Sequence, residues 1–75
     1  MNLGNAMLTI RKECGLSRKE VAEMLGCTVN SIWKIENNKT MPKQSTIMAF
    51  CLAAKCPLAR FYILALESSD FAVLK

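Results

Sequence analysis

The side chains of this sequence that could do chemistry are suited to recognition rather than to catalysis. Ten lysines and arginines stand against six acidic residues and no histidine, so the formal net charge is +4. There is no glycine-rich phosphate loop and no pair of carboxylates in an apolar setting. A catalytic cysteine would lack a histidine base. These features argue against an enzyme and favour an acidic partner such as nucleic acid.

The four cysteines do not form a metal-binding pattern. Cys14, Cys27, Cys51 and Cys56 contain no CxxC pair, and zinc needs about four nitrogen or sulfur ligands. A disulfide framework requires an oxidising compartment, and the N-terminus lacks the basic start and long apolar run of a signal peptide. No stretch reaches the roughly 18 apolar residues of a membrane span. We therefore expect a cytoplasmic protein with reduced cysteines that act as small buried apolar residues, and with no metal, cofactor, membrane or small-molecule site.

One stretch, from Gly15 to Asn38, has the pattern of two short helices joined by a tight turn. Ser17 and Glu20 are spaced as a capping box for the first of these helices. Gly26 is suited to end that helix with a positive φ, and Thr28 to cap the next one immediately. Two helices so short and so closely joined must cross at a steep angle.

Three further helices are predicted around this pair. Residues 1–14 carry apolar side chains at helical spacing, with Asn2 as a cap. Pro42 should open a fourth helical region, capped by Ser45 or a neighbour. Pro57 suits the first turn of a fifth helix. The sequence therefore predicts an all-α fold of five helices.

The fifth predicted helix has no polar face between Phe61 and Leu66. Such a helix is buried on all sides or contacts another molecule. Polar residues then interrupt the run, so we place one compact domain at residues 1–66 and a tail at residues 67–75. The tail could add to a dimer contact as a strand or an extra turn, or it could fray.

Residues 15–43, GLSRKEVAEMLGCTVNSIWKIENNKTMPK, resemble the helix-turn-helix of the Cro and phage-repressor family, also called the xenobiotic-response-element type. The rough family pattern, GLSQEELAEKLGVSRSTISRIERGKRKPS, aligns without a gap. The resemblance extends from Leu3 to about Phe61 and implies a lambda-repressor-like fold. It implies a sequence-specific regulator of transcription that binds double-stranded DNA as a dimer, most readily a repressor.

The resemblance also implies which residues would touch DNA. The third helix would enter the major groove with its N-terminus leading, and base contacts would come from Val29, Asn30 and Lys34. Asn30 can pair with adenine, Lys34 can donate to guanine, and Val29 can pack on a thymine methyl. Arg18 matches a position where the family has a polar residue that touches the DNA backbone. The candidates to bind phosphates are Arg18, Thr28, Lys39, Thr40 and Lys43.

Two structural features are implied in the same way. Arg11 and Glu36 would form a largely buried salt bridge that locks the first helix to the third; the alternative is a pair of solvated surface charges worth little. Asn38 and Lys55 stand where the family usually has glycine, and asparagine tolerates a left-handed conformation better than most residues. Related repressors often dimerise through the last helix, which here would contribute Phe61, Tyr62, Leu64 and Ala65.

Three matters remain open from the sequence. Trp33 stands where the family usually has a small or polar residue, so it could stack on the DNA backbone, touch a partner or fold back on the fourth helix. The domain could also be a protein-interaction module on the same fold, such as an antitoxin, an anti-repressor or an oligomerisation unit. A regulator that senses metal or redox state through its cysteines is a more distant reading.

Overall fold

Residues 1–67, the part of the chain that this computed structural model describes, form five α-helices. They are α1 (Leu3–Glu13), α2 (Arg18–Leu25), α3 (Val29–Glu36), α4 (Gln44–Ala53) and α5 (Leu58–Glu67). The predicted all-α, five-helix fold is therefore confirmed. The predicted tail from Ser68 onward lies outside the described residues, and Glu67 belongs to α5.

The turn between α2 and α3 has the geometry that its residue types predict. Ser17 accepts a hydrogen bond from the Glu20 N–H at 3.0 Å, and Glu20 accepts one from the Ser17 N–H at 2.8 Å. This second bond holds the pKa of the Glu20 carboxyl below its ordinary value. Gly26 ends α2 at φ 69°, and Thr28 caps α3 by accepting from the Ser31 N–H at 3.1 Å. The two helices are thus defined by their own caps.

The start of α1 is hydrogen-bonded to α5 and to the loop that follows α3. The side chain of Asn2 caps α1 by accepting from the Asn5 N–H at 2.9 Å. Its backbone N–H donates to the Ala65 carbonyl of α5 at 2.9 Å. The amide of Asn38, which lies after α3 at φ 58°, donates to the Asn2 side chain at 3.0 Å. These bonds connect the loop after α3 to α1 and α5.

The core is built from one face of each helix. α1 packs on α3 and α5, α2 packs on α3 and α4, and α4 packs on α5. Phe50 of α4 and Phe61 of α5 meet edge to face, with ring centroids 6.0 Å apart. The largest side chains that are almost completely buried are Phe50, Phe61, Met7, Ile10, Ile32 and Val21.

The boundaries of α4 differ from the prediction at its first residue. The N-cap is Lys43, which makes no side-chain cap hydrogen bond, whereas we expected the side chain of Ser45 or of a neighbour to cap the helix. The extended backbone of Lys43, at ψ 156°, starts the helix without help from a side chain. At the other end, Lys55 follows the helix with φ 55°, a left-handed conformation.

Only part of the expectation for the cysteines holds. Cys51 is buried in the core and Cys56 is half-buried, but Cys14 and Cys27 are exposed, so the prediction that they are buried is wrong for these two. Both lie at helix ends, where one side faces solvent. Burial raises the pKa of the Cys51 thiol to about 11, so it is protonated at neutral pH.

Residues 1–67 contain no cluster of metal-binding side chains and no single helix suited to span a membrane. In this part of the chain, no three histidine, cysteine, aspartate or glutamate side chains are grouped to hold a metal ion. No single helix among these residues is long and apolar enough to cross a membrane; α4 and α5 reach such a length and apolar composition only together, and they are bent by 113° relative to each other.

Candidate nucleic-acid interface

The inner face of α3 is fixed to the domain by three side chains. Ile32 and Ile35 lie in the apolar core, and Glu36 is buried beside them at the end of the helix. These residues recur at helical spacing, so the opposite side of α3 must face outward.

The outward face of α3 carries the three residues predicted to contact bases. Val29, Asn30 and Lys34 are all exposed there, and Trp33 is exposed beside them. Val29 keeps 45% of its surface exposed and Trp33 keeps 41%. The face therefore presents an amide, an amine and an apolar surface to a ligand.

The residues predicted to bind phosphates lie at both ends of α3 and beyond it. Thr28 is the N-cap, and its hydroxyl lies 2.9 Å from that of Ser31. The backbone N–H groups of Lys39 and Thr40 donate to the Lys34 carbonyl at 2.8 and 3.4 Å, which folds the loop against the end of α3. The side chains of Lys39, Thr40 and Lys43 are exposed.

A cluster of three charged side chains, Arg11, Arg18 and Glu36, joins α1, α2 and α3. The Arg11 Nε donates to Glu36 Oε2 at 2.6 Å, so the salt bridge implied by the family resemblance is present in the structure. The Arg18 Nε donates to the other carboxylate oxygen at 2.7 Å. Arg11 also donates to the Leu16 carbonyl at 2.9 Å. The side chain of Glu36 is only 1% exposed, so this carboxylate is held almost entirely by arginines.

The cluster fixes how α3 stands relative to the rest of the domain. A buried carboxylate is costly unless it is paired and hydrogen-bonded. Here both oxygens of Glu36 accept bonds, and within residues 1–67 no buried side-chain nitrogen or oxygen lacks a hydrogen-bond partner. The arrangement therefore orients α3 while leaving its outward face available.

Arg18 has a second role that the sequence did not reveal. It was predicted only to bind phosphate, yet its Nε is bound to Glu36 while its side chain remains 39% exposed. A guanidinium held through Nε still has terminal N–H groups that can donate to an anion. No local sequence pattern reports this contact, because the two residues are brought together only by the crossing of α2 and α3.

A shallow depression between α2 and α3 brings several of these residues together. It is lined by Arg18, Val29, Asn30 and Trp33. Three of the four were predicted to contact DNA. Trp33, whose role the sequence left open, thus lies beside the predicted base-contacting residues.

Gly4 is a positioning residue that the sequence analysis did not single out. It is buried in α1 where that helix meets the end of α3. A methyl group at this position would overlap the carbonyl oxygen of Ile35 and lie 2.9 Å from that of Glu36. The signal that could have revealed it is a glycine inside an otherwise good helical pattern.

The prediction for the dimer contact is wrong for two of its four residues. Phe61 and Ala65 are completely buried within the single chain, because this side of α5 packs against the core. Tyr62 and Leu64 are half-buried, and Ile63 is exposed. One side of this helix, which is apolar all round in the sequence, therefore packs against the core of its own domain.

The outward-facing α3, preceded by a capped α2 and a tight turn, defines a helix-turn-helix protein. The family model described as "Helix-turn-helix" matches residues 7–61. The chain therefore belongs to this helix-turn-helix family, the one typified by Cro and the phage repressors. A comparison with curated proteins found no match. Membership makes the chain a DNA-binding helix-turn-helix regulator, and domains of this family are regulatory rather than enzymatic.

Proposed function

We propose that the protein is a sequence-specific transcriptional repressor that binds an operator as a homodimer. α3 of each copy lies in the major groove, and the dimer blocks access of polymerase by covering the site. With half-sites about one DNA turn, on the order of 34 Å, apart, the two copies contact the same side of the duplex.

The observation that carries this proposal is the outward face of α3. Val29, Asn30 and Lys34 are exposed there, while Glu36 anchors the opposite side through Arg11. An amide and an amine on a rigid helix are the groups that discriminate adenine and guanine in the major groove. Each good pairing is expected to contribute about 1–3 kcal/mol of discrimination.

Phosphate binding is supported by the cations around α3. Arg18, Lys39 and Lys43 are exposed or partly exposed, and the chain has an overall charge of +4. Three such contacts in each copy of a dimer would neutralise six phosphates. The logarithm of the binding constant should then fall with the logarithm of salt concentration with a slope of about −5.

The homodimer is supported by the side of α5 that does not enter the core. Ile63 is 53% exposed there, and the half-buried Tyr62 lies next to it. We assign the dimer contact to this surface in place of Phe61 and Ala65.

Selection of bound duplexes from a random DNA pool tests the proposal most directly. We expect a palindromic consensus and a salt slope near the value given above. Asn30→Ala and Lys34→Ala should each weaken binding to the consensus by about 10-fold or more. Lys12→Ala, which removes the same charge from an exposed position on α1, is the matched control for Lys34→Ala and should bind nearly as well as the native protein.

Two results would overturn the proposal. Native affinity in both α3 variants would mean that α3 does not read the bases. A salt slope near zero, with no consensus selected, would mean that the domain does not use DNA and would favour the protein-interaction module.

A further inference from the structure

We propose that Val29 and Trp33 read the C5-methyl group of a thymine, so that the preferred half-site holds a thymine facing the depression between α2 and α3. This inference rests on the proposed DNA-binding function and specifies what one part of α3 recognises. It assigns to Trp33 a role in base specificity.

The placement of the two side chains supports this role. Val29 and Trp33 are four residues apart on α3, so they lie on the same face one turn apart. Together they form an exposed apolar surface, and they line the depression with Arg18 and Asn30. The apolar surface therefore lies among the groups that would meet DNA.

The chemistry of the major groove offers one partner for such a surface. Among the four base pairs, the thymine methyl is the apolar group displayed there, beside donors and acceptors. A valine and an indole ring can exclude water from this methyl, as apolar contacts do elsewhere.

The charged surroundings favour DNA over an apolar protein as the occupant. Arg18 lines the same depression, and Lys34 is exposed one residue after Trp33. An apolar protein surface covering this site would desolvate the Lys34 amine and the terminal N–H groups of Arg18, whose Nε is bound to Glu36, without giving them an anion, which is costly. DNA supplies phosphates for the cations and a methyl group for the apolar pair at the same time.

The amide of Asn30 also indicates an adenine–thymine base pair. It suits adenine, and adenine pairs with thymine. Trp33 is three residues beyond Asn30, about 4.5 Å along the helix axis at roughly 1.5 Å per residue. Neighbouring bases on one strand are about 3.4 Å apart. The thymine should therefore lie within one or two base pairs of the adenine that Asn30 reads.

The first test changes only the DNA. Each thymine of the selected half-site is replaced in turn by deoxyuridine, which lacks the methyl group and keeps the pairing. With the native protein, we expect one position to lose about fourfold or more in affinity, as for the removal of one buried methyl group. Replacement of thymines that flank the selected site is the control and should leave the affinity unchanged.

The second test links that position to the apolar pair. Trp33→Ala and Val29→Ala should bind the thymine and deoxyuridine duplexes with nearly equal affinity, whereas Lys12→Ala should keep the native preference. Thermal unfolding of each variant shows whether it is folded. If a variant does not fold, the deoxyuridine experiment still tests the inference, because it uses only the native protein.

Several outcomes would overturn the inference. If the native protein binds a consensus but no deoxyuridine position matters, the methyl reading is wrong and the proposed function stands. The same holds if Trp33→Ala keeps the full preference, or if it changes only the association of the protein with itself in sedimentation. If no duplex is selected at all, the proposed function and this inference fail together.

Discussion

At the scale of single residues, Glu36 is the side chain on which the orientation of α3 most depends. Glu36→Gln keeps the size of the side chain but leaves Arg11 buried without a counter-charge. Removing one partner of a buried ion pair costs about 3–5 kcal/mol. A domain of this size rarely has more than about 3–5 kcal/mol of stability in total. We therefore expect circular dichroism and urea titration to show a largely unfolded variant.

The matched control for this change is Glu13→Gln. Glu13 pairs with Arg60 at 2.8 Å, but both side chains are about half exposed. A hydrogen bond from Arg60 lowers the pKa of the Glu13 carboxyl, yet solvent screens a pair in this setting and its loss should change stability little. Equal urea midpoints for the two variants would contradict the buried role assigned to Glu36.

The residues of the candidate site were predictable from the sequence to different degrees. Val29, Asn30 and Lys34 were assigned through the family pattern, and the structure places them on the outward face of α3. The contact of Arg18 with Glu36 and the place of Trp33 in the depression were not predictable, because both depend on how two helices cross. The spacing of residues along a helix shows which of them share a face. It does not show which neighbouring helix that face will contact.

At the scale of elements, the two left-handed residues that follow α3 and α4 should respond differently to glycine. Lys55 has φ 55°, a conformation that costs a residue with a Cβ about 1–2 kcal/mol. Lys55→Gly should relieve this strain and raise the free energy of unfolding by about 1 kcal/mol. Thermal unfolding should then shift upward by about 4–8 °C.

Asn38→Gly is the comparison for that change. Asn38 has nearly the same conformation, at φ 58°, but its amide donates to Asn2 at 3.0 Å. Loss of this bond, worth about 1 kcal/mol, should cancel the gain from glycine. An equal or larger stabilisation in Asn38→Gly would show that the hydrogen bond from Asn38 to Asn2 does not offset the gain from glycine.

The elements themselves were predicted well where a cap has a local signal. Ser17, Gly26 and Thr28 act at the α2–α3 turn as their residue types predict, because caps depend on contacts within three or four residues. α4 lacks such a signal at Lys43, so its start was misplaced. For α5, an apolar run without a polar face could not show that Phe61 faces the core, since that choice is made by packing.

At the scale of the whole molecule, the proposed function requires two copies, because one α3 would read too few base pairs to specify an operator by itself. A second copy would double the sequence that is read, and it would bind the same duplex as an intramolecular step. Affinity for a site with two half-sites should therefore exceed that for one half-site by about 100-fold. This advantage depends on a contact that joins the two copies.

Ile63→Asp tests the contact that we assign to α5. The folded monomer should tolerate a carboxylate at this exposed position. The charge should oppose burial of this side of α5 between two copies. We expect sedimentation to show a dimer for the native protein and a monomer for the variant. The variant should lose the advantage on the double site and keep its affinity for a single half-site.

Leu52→Asp is the control, because it adds the same charge at an exposed position on α4. It should remain a dimer, so any loss of affinity that it shows is due to repulsion between the added charge and DNA. If the native protein sediments as a monomer, there is no dimer contact. If the two variants have the same affinity for the double site, the dimer contact does not lie on this side of α5.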